Sequence, residues 1–384
     1  MEPRAVPVGW QFRPARARIE VQPKGVVGIL GAWNYPVFLT IGPAVGAIAA
    51  GNRVLIKPSE RAPRTGALIQ EMVGKTFASD YVGVINGGAD VAEEFSKLPF
   101  DHLIYTGSAR VGRLVMKAAA ENLTPVTLEL GGKSPALVHP DYPLERAAER
   151  ILTGKLYNAG QTCVAPDYLL IAKTRVNEFL EMAPRIVAKM YPKLAANAEY
   201  TRIIDAGHYR MLAQMVHDAR EKGAKVVPIN PSNEACNEES RVFPPTLLVD
   251  VHDDMTVMQE EIFGPLLPVV GYETLNDAID YINARPHPLA LYYFDSNNAR
   301  VNDVLRRTTA GGVTVNDCIF HVGQTGLPFG GIGASGMGHY HGYHGFETFS
   351  KMKGVFVEGR WTPFSLLRPP YSAIARRILA FLMR

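Results

Sequence analysis

Short apolar segments alternate with amphipathic segments through the first third of the chain. Glycine, proline or a polar turn closes each apolar segment, which is typical of buried strands. The intervening segments, such as GALIQEMVGKTF (66–77), have the apolar spacing of helices. This alternation predicts a parallel, Rossmann-like sheet up to about residue 130. Its strands are expected in VVGIL (26–30), RVLIK (53–57), YVGVINGG (81–88) and DHLIYT (101–106).

The same alternation returns between residues 168 and 250 and predicts a second α/β unit. Residues 229–241 are polar and predict a loop or hairpin tip. The strands are expected at 168–172, 225–229 and 246–250, and the helices, with charges on one face, at 176–190 and 208–224.

The two ends of the chain have patterns of their own. Residues 3–23 are rich in proline and arginine and then alternate, which predicts an exposed edge strand. KMKGVFVEG (351–359) predicts a further strand. In the last segment, 371–384, apolar residues recur at helical spacing, interrupted by three arginines that include Arg384. Two interpretations stay open: a helix docked on its own or a neighbouring subunit, or an interfacial membrane helix.

Length and composition are those of an ordinary globular protein. At 384 residues the chain is too long for a single hydrophobic core, which suggests two or three domains. The formal net charge of +3 is small for this length and gives no reason to expect nucleic-acid binding. Residues 1–20 lack the apolar run of a signal peptide, and no apolar run is long enough to span a bilayer.

Cysteine and histidine give no disulfide or metal pattern. Cys163, Cys236 and Cys318 are widely separated, without a CxxC pair, so a reduced, cytoplasmic setting is expected. The three histidines of HYHGYH (339–344) are dense enough to consider zinc. Ligating thiols or carboxylates are absent beside them in the sequence, so no metal site is predicted.

One carboxylate and one thiol stand in glycine-rich sequence. Glu129 ends the strand-like TLEL, which Gly131 and Gly132 interrupt. Cys163 follows a predicted helix (144–157) and the turn Asn-Ala-Gly, where a backbone N–H can stay free. A thiol, a loop amide and a carboxylate that can move a proton are the parts of covalent acyl chemistry. Alone, however, a cysteine is more often a small buried hydrophobe and a glutamate a solvated charge.

The wording around these residues resembles a known family. LELGGKSP, followed by GQTC 34 residues after Glu129, is similar to the active-site signatures of the aldehyde dehydrogenase superfamily. GQTCVAPDY looks most like the class 3 branch and the related coniferyl aldehyde dehydrogenases. The resemblance extends from about Pro23 to about Val357. It implies an α/β fold with a Rossmann-like cofactor domain, an α/β catalytic domain and a β oligomerisation arm.

The expected domain boundaries follow from the resemblance. Residues 24–131 form the NAD(P)-binding domain and 132–335 the catalytic domain. Residues 5–23 and 348–359 supply oligomerisation strands, and 360–384 form an amphipathic C-terminal tail. The resemblance implies a homodimer.

The resemblance also implies catalytic roles. Cys163 is the nucleophile, and Glu129 activates the water that hydrolyses the thioester. Asn34, in AWNYP, lies where its amide can donate to an oxyanion. From spacing alone a turn-forming asparagine is as good an interpretation; the resemblance favours the oxyanion role.

Two loops are expected to hold the adenosine and phosphate groups of NAD or NADP. Lys57 and Glu60, in KPSE, follow a strand, and the resemblance places them on the adenosine ribose. Glu60 mildly favours NAD, because a 2′-phosphate would meet its negative charge. Gly107 and Gly112 bracket the start of a helix, where free N–H groups suit a pyrophosphate. The resemblance places Ser108 on a phosphate.

The nicotinamide end is expected elsewhere in the chain. In EEIFGP, the resemblance implies that Glu261 holds the nicotinamide ribose and that Phe263 flanks the ring. Trp33 and Gly131 are also assigned to the cofactor site.

Together these motifs imply an NAD(P)-dependent aldehyde dehydrogenase. Its expected substrates are aromatic aldehydes such as coniferyl aldehyde, or medium-chain aliphatic aldehydes. The candidates for lining their pocket are Tyr35, Trp33, Phe38, Ile319 and Phe320, each of which is equally well interpreted as a core residue. The chain lacks most of the segment that precedes the first strand in the family. One alternative is therefore an impaired remnant that binds nucleotide or a partner subunit. A lesser alternative is a thiol esterase that uses Cys163 without a cofactor.

Overall fold

The computed structural model describes residues 2–360, 362 and 368–383. The strands are β1 (Arg4–Val6), β2 (Arg16–Pro23), β3 (Val26–Leu30), β4 (Arg53–Lys57), β5 (Val82–Val84), β6 (His102–Thr106), β7 (Val126–Glu129), β8 (Pro135–Val138), β9 (Tyr168–Ala172), β10 (Lys225–Pro228), β11 (Thr246–Val249), β12 (Leu266–Tyr272), β13 (Ala290–Phe294), β14 (Gly312–Val315), β15 (Gly336–Met337) and β16 (Ser350–Val357). The helices are α1 (Phe38–Ala49), α2 (Pro63–Thr76), α3 (Ala89–Ser96), α4 (Ala109–Ala120), α5 (Leu144–Leu156), α6 (Val176–Met190), α7 (Ala206–Glu221), α8 (Thr256–Gln259), α9 (Leu275–Asn283), α10 (Asn298–Arg307), α11 (Gly342–Thr348) and α12 (Ala373–Leu382).

The first large sheet has the strand order β15-β7-β6-β3-β4-β5. Strands β3 to β7 are parallel, whereas β15 runs antiparallel to β7. Every residue of β6 is buried, as expected for a strand covered on both faces. All four strands predicted in residues 26–106 are present in this sheet.

The second large sheet has the order β10-β11-β12-β9-β8-β13-β14. Its strands are parallel except for β10, which pairs antiparallel with β11. Strands β9 and β13 are buried throughout, so both faces are covered. Helices α6 and α7 occupy the segments predicted to be helical. The two sheets confirm the predicted α/β class.

The third sheet is small and antiparallel, in the order β1-β2-β16. The alternating part of residues 3–23 was expected to be an edge strand, and this prediction is wrong. It forms β2, which is the central strand of this sheet. β1 pairs with one edge of β2, and β16 pairs with the other edge along all eight residues of β2. The partner lies more than three hundred residues later in the sequence, where a local pattern cannot indicate it.

The predicted C-terminal helix is present as α12. On this helix Ala375 is buried, whereas the side chains of Ile374 and Phe381 are exposed. Residues 361, 363–367 and 384 of the predicted tail, including Arg384, lie outside the described residues. Among the described helices, none combines the length and hydrophobicity needed to cross a membrane.

The two large sheets meet at the functional end of the molecule. β7 ends at Glu129, and after five residues the chain enters the second sheet as β8. The carboxyl ends of β3, β4, β6 and β7 lie at one edge of the first sheet, since these strands are parallel. Ligands of open α/β sheets collect at such an edge, and the second sheet stands beside it.

A buried asparagine ties the opposite end of the first sheet, where β3 and β4 begin, to the end of α11. The Asn52 side chain is fully buried; it accepts from the Gly25 N–H at 2.9 Å. It also donates to the carbonyl oxygens of Ala47 at 3.0 Å and Phe349 at 2.9 Å. Loss of this side chain leaves three buried backbone groups without their partner, at a cost of roughly 1–3 kcal/mol for each unsatisfied group.

We therefore expect Asn52→Ala to lower the free energy of unfolding by about 2–4 kcal/mol. Urea denaturation followed by circular dichroism measures the change. Asn122→Ala is the control, because Asn122 makes one exposed hydrogen bond to the Lys97 carbonyl oxygen; its effect should stay below about 1 kcal/mol. Equal shifts in the two variants would contradict the assigned role of Asn52.

Candidate active site

A cavity of about 870 Å³ lies along the shared edge of the two large sheets. Its lining includes polar groups from the loops of the first sheet and from the Cys163 loop. All but one of the predicted site residues line it: Trp33, Asn34, Lys57, Glu60, Gly107, Ser108, Glu129, Gly131, Cys163, Glu261 and Phe263.

The loop before Cys163 has an unusual backbone. Asn158 and Ala159 have φ angles of 51° and 52°, and Gly160 has a φ of 76°. A left-handed conformation costs a residue other than glycine about 1–2 kcal/mol, so the surroundings must hold this loop. The Asn158 amide does so by donating to the carbonyl oxygens of Asn34 at 3.1 Å and Gln161 at 3.2 Å. Backbone strain of this kind is often found at functional sites.

Asn34 lies beside the cysteine loop. Its side-chain amide donates to the carbonyl oxygen of Gln161 at 3.2 Å. The adjacent Tyr35 hydroxyl lies 2.8 Å from the Thr162 hydroxyl. Two consecutive residues of the loop after β3 therefore hold the two residues that precede Cys163. An amide N–H and the backbone N–H of the cysteine can converge on one oxygen atom in this arrangement.

Glu129 is buried at the end of β7, and neither of its carboxyl oxygens has a hydrogen-bond partner among the described residues. Burial raises the pKa of Glu129 well above its ordinary value. Burial therefore disfavours the ionised carboxylate, which is a stronger base than usual once it forms. A buried, unpartnered carboxyl that lines a cavity is a candidate for proton transfer.

The thiol of Cys163 lies in the same cavity. Burial raises the pKa of Cys163 to about 12, and the negative charges of Glu261 and Glu129 act in the same direction. The backbone N–H groups of Cys163 and Val164 oppose this shift. The thiol is therefore the resting form, and a proton must leave before attack.

Glu261 lies directly against the backbone of Gly131. A Cβ atom at position 131 would lie 2.1 Å from the Glu261 Oε2 atom, so a side chain there would displace the carboxyl group. Burial, followed by the nearby Asp167 charge, raises the pKa of Glu261 to about 8. The nearby Lys133 and Lys155 oppose that shift. Gly131 is thus required by packing against a carboxyl group that lines the cavity.

Lys57 and Glu60 form an ion pair at the end of β4. The distance from Lys57 Nζ to Glu60 Oε2 is 2.6 Å, and the lysine side chain is buried whereas that of Glu60 is partly exposed. Partial burial acts to raise the pKa of Glu60, but the hydrogen bonds from Lys57 and the backbone outweigh it, and the pKa is lowered. Glu60 is therefore ionised at neutral pH and presents a negative charge to the cavity.

The loop between β6 and α4 has the geometry of an anion site. The Ser108 Oγ atom caps α4 by accepting from the Val111 N–H at 3.4 Å. The remaining first-turn N–H groups of a helix have no partner within the helix. Gly107 has a φ of 158°, and a Cβ atom there would lie 2.2 Å from the Tyr105 hydroxyl. Gly112, unlike Gly107 and Ser108, is buried on α4 against Leu130 rather than lining the cavity.

Three aromatic rings surround one end of the cavity. The Trp33 ring lies 5.3 Å from Phe263 and 6.1 Å from His208, both edge-on. Arg61 lies over the Trp33 ring, with its Cζ atom 4.7 Å from the centroid, and pairs with Asp205. The sequence motifs indicated Trp33 and Phe263 but neither His208 nor Arg61. Helical spacing predicted α7 without showing which of its residues faces the cavity.

The histidines of HYHGYH take part in aromatic contacts. His341 stacks on Phe329 with ring centroids 5.0 Å apart, and the rings of His339 and His344 lie 5.6 Å apart. No group of three or more histidine, cysteine, aspartate or glutamate side chains suited to a metal ion occurs within the described part of the chain.

The site thus combines a thiol, an amide donor and two carboxyl groups with a helix N-terminus suited to an anion. These are the functional groups expected of a thiol-dependent oxidoreductase that uses a nucleotide. The chain belongs to the aldehyde dehydrogenase family, whose model matches residues 4–355. It is therefore an enzyme of the class that oxidises aldehydes. The predicted family and enzyme class are confirmed, and the gathering of the site residues in one cavity does not favour an impaired remnant.

Curated relatives agree with this assignment. A probable coniferyl aldehyde dehydrogenase of Pseudomonas aeruginosa is 53% identical over 379 residues, which are 99% of this chain and 79% of the relative. The coniferyl aldehyde dehydrogenase of a Pseudomonas species is 46% identical over 374 residues, which are 97% of this chain and 78% of the relative.

Solved structures share the fold. The substrate-bound state of Staphylococcus aureus AldH has a TM-score of 0.92 at 38% identity, covering 99% of this chain and 82% of that one. A Mycobacterium tuberculosis aldehyde dehydrogenase complexed with NAD+ has a TM-score of 0.84 at 29% identity, covering 94% of this chain and 74% of that one. Both likenesses extend over almost the whole chain.

The raised pKa of Cys163 gives a test in the free protein. Only the thiolate reacts with iodoacetamide, so with a pKa of about 12 the alkylation rate should rise roughly tenfold per pH unit from pH 7 to 10. Mass spectrometry of the Cys163 peptide measures the rate, in a Cys236→Ser background that removes a partly exposed second thiol. A plateau near neutral pH would show that the thiolate is already formed in the free protein.

Proposed function

We propose that this protein oxidises hydrophobic aldehydes, with coniferyl aldehyde as the representative substrate, to carboxylates with NAD. The observation that carries the proposal is the convergence of Cys163, Asn34 and Glu129 on the cavity whose other end holds Lys57, Glu60 and the start of α4. The aldehyde, the cofactor and one water give the carboxylate, the reduced cofactor and two protons.

The first step uses Cys163 and Asn34. The Cys163 thiolate forms a bond to the aldehyde carbon, and the carbonyl π electrons move to oxygen. The Asn34 amide and the Cys163 backbone N–H donate to this oxyanion as it forms. The hydrogen bond from the Asn34 amide to the Gln161 carbonyl oxygen holds this amide at the cysteine loop before substrate arrives. This lowers the free-energy cost of orienting the amide during the reaction.

The redox chemistry of the next step, removal of a hydride from the tetrahedral carbon, would be supplied by bound NAD. The cavity fits such a dinucleotide, because the start of α4 offers free N–H groups beside Gly107, where the carboxyl ends of β4 and β6 meet. Ser108 would hold a phosphate, Lys57 and Glu60 the adenosine ribose, and Glu261 the nicotinamide ribose. Trp33 and Phe263 would flank the nicotinamide.

The last step releases the acid from the thioester. Glu129 takes a proton from a water molecule as the water oxygen bonds to the thioester carbon. The Cys163 sulfur then leaves as thiolate. The burial that raises the pKa of Glu129 makes its ionised form a better base for this transfer. The proton that Glu129 takes from water must leave before the next cycle, which requires a path out of the buried site.

The charge at the ribose end favours NAD over NADP. A 2′-phosphate placed near Glu60 would meet a negative charge that is only partly balanced by Lys57. A free 2′-hydroxyl, by contrast, can donate to the same carboxylate.

The proposed substrate class rests on the five residues expected to form the substrate pocket, of which Trp33 lines the cavity. Phe38 and Phe320 are exposed, and Phe38 lies 5.7 Å from His341, which stacks on Phe329. Together with Tyr35, Trp33 and Ile319 they offer an apolar, aromatic wall to a planar aldehyde. The names of the relatives from Pseudomonas support the same class.

The predicted domains and assembly complete the proposal. Residues 24–131 bind the cofactor and 132–335 carry catalysis, in line with the two large sheets. The strands in 5–23 and 348–359 join two copies into a homodimer, and the tail at 360–384 docks on a subunit.

The direct test is formation of NADH by the purified protein with coniferyl aldehyde, benzaldehyde and hexanal. We expect turnover with all three and the highest kcat/KM for coniferyl aldehyde, because the wall of the pocket is aromatic. Cys163→Ala should lose at least 10³-fold of the activity, whereas Cys236→Ala should retain it. A folded parent that fails with both NAD and NADP would refute the proposed function.

Glu60→Gln tests the cofactor preference. Removal of a charge near the 2′ position is worth about 1 kcal/mol, so the ratio of kcat/KM for NADP to that for NAD should rise roughly fivefold. Glu71→Gln, an exposed change of the same charge on α2, should leave the ratio unchanged. An unchanged ratio in Glu60→Gln would mean that this carboxylate does not face the 2′ position.

A further inference from the structure

The start of α7 contacts the loop that carries the nucleophile. The side chain of Gln161, two residues before Cys163, accepts from the Ile204 N–H at 2.9 Å. Its amide group donates to the Arg202 carbonyl oxygen at 3.1 Å. Ile204 immediately precedes Asp205, the N-cap of α7. The backbone that enters α7 is therefore tied to the cysteine loop by two hydrogen bonds.

The same helix contacts the loop of Phe263. The His208 Nε2 atom lies 2.7 Å from the Phe263 carbonyl oxygen. Since a carbonyl oxygen only accepts, Nε2 carries the proton and donates. One turn further along α7, the fully buried Leu212 packs so closely on the next residue of the loop that a Cβ atom on Gly264 would lie 2.4 Å from it.

Phe263 needs such support. Its φ angle is 51°, in the left-handed region that residues other than glycine avoid. This conformation directs its ring toward Trp33 and the cavity. His208 interacts with Phe263 in two ways. It donates a hydrogen bond to the Phe263 carbonyl oxygen, and its ring centroid lies 6.1 Å from that of the Phe263 ring.

The position of His208 is fixed from its other side. The Asp205 Oδ1 atom accepts from the His208 backbone N–H at 2.8 Å, and its Oδ2 atom accepts from the Arg61 Nε at 3.1 Å. Arg61 follows β4 of the first sheet, and its guanidinium covers the Trp33 ring. Burial lowers the pKa of His208, so the ring is neutral at pH 7, with the single proton on Nε2.

We propose that His208 is a positioning residue that holds Phe263 in its left-handed conformation. The Phe263 ring is thereby placed against the nicotinamide, in a fixed position relative to Cys163. The inference rests on the proposed function, since it needs a nicotinamide at this end of the cavity. His208 does not touch the reacting atoms. Its Nε2–H group, which no sequence motif indicated, holds the Phe263 backbone. Through Phe263 it would set the angle between the nicotinamide ring and the tetrahedral carbon.

Two substitutions separate the hydrogen bond from the ring. His208→Phe keeps an aromatic side chain beside Trp33 and Phe263 but has no donor. His208→Gln can place an amide N–H near the position of Nε2. His217→Phe makes the same change at an exposed site of α7 and is the matched control.

Three quantities are measured for each protein: kcat with saturating NAD, the dissociation constant for NAD by calorimetry, and hydrolysis of p-nitrophenyl acetate without cofactor. In His208→Phe we expect kcat to fall about fivefold to tenfold, as for loss of one buried hydrogen bond. The dissociation constant should change less than about threefold. Ester hydrolysis, which needs Cys163 but no nicotinamide, should stay within about twofold of the parent. As a separate check on His208→Phe, the kinetic isotope effect with deuterated aldehyde should increase, because hydride transfer becomes slower.

His208→Gln should restore kcat to within about twofold of the parent, since it restores the donor. A His208→Phe protein that matches His217→Phe in all three quantities would overturn the inference while the parent still oxidises aldehydes. A parallel loss of ester hydrolysis and kcat would also overturn it, because it would show general damage to the site. Failure of the parent itself to reduce NAD would refute the proposed function instead.

Discussion

The site depends on the close approach of two loops that arrive from distant parts of the sequence. A Cβ atom on Gly160 would lie 2.2 Å from the Gly264 carbonyl oxygen, so the cysteine loop and the Phe263 loop touch through backbone alone. The same contact explains why Asn158 and Ala159 accept a left-handed backbone: the chain must turn sharply enough to bring Gly160 against the other loop. Cys163 and Phe263 consequently share one rigid support, and neither loop can shift without the other.

Burial then sets the electrostatics of this support. It raises the pKa of Glu129, Glu261 and Cys163 together and so disfavours their ionised forms. Three ionised groups of the same sign in one dry cavity would repel one another strongly. Binding of a cationic nicotinamide ring would favour ionisation of these groups and thus couple arrival of the cofactor to formation of the thiolate. This preference for the neutral forms follows from the same packing that positions the residues.

Much of this arrangement is readable from the sequence, for a physical reason. Strand and helix periods depend on local spacing, so both parallel sheets were predictable, and parallel strands bring the ends at Lys57, Gly107 and Glu129 to one edge. Glycine-rich loops marked Gly131 and the cysteine turn because close backbone approach excludes side chains. The central place of β2 was missed, since β16 pairs with it from the far end of the chain. His208 and Arg61 were missed because their roles come from tertiary contacts that no local pattern records.

These omissions share a cause that bears on how the site works. The residues found by motif are those whose own chemistry or backbone is unusual, whereas those missed act by holding other groups. Asp205 illustrates this, because one carboxylate caps α7 through the His208 N–H and also pairs with Arg61 of the opposite sheet. Such a residue has no chemistry of its own in the reaction, yet it joins the two walls of the cavity. The precision of hydride transfer depends on that junction, since a small change of angle at the cofactor alters the reaction far more than it alters binding.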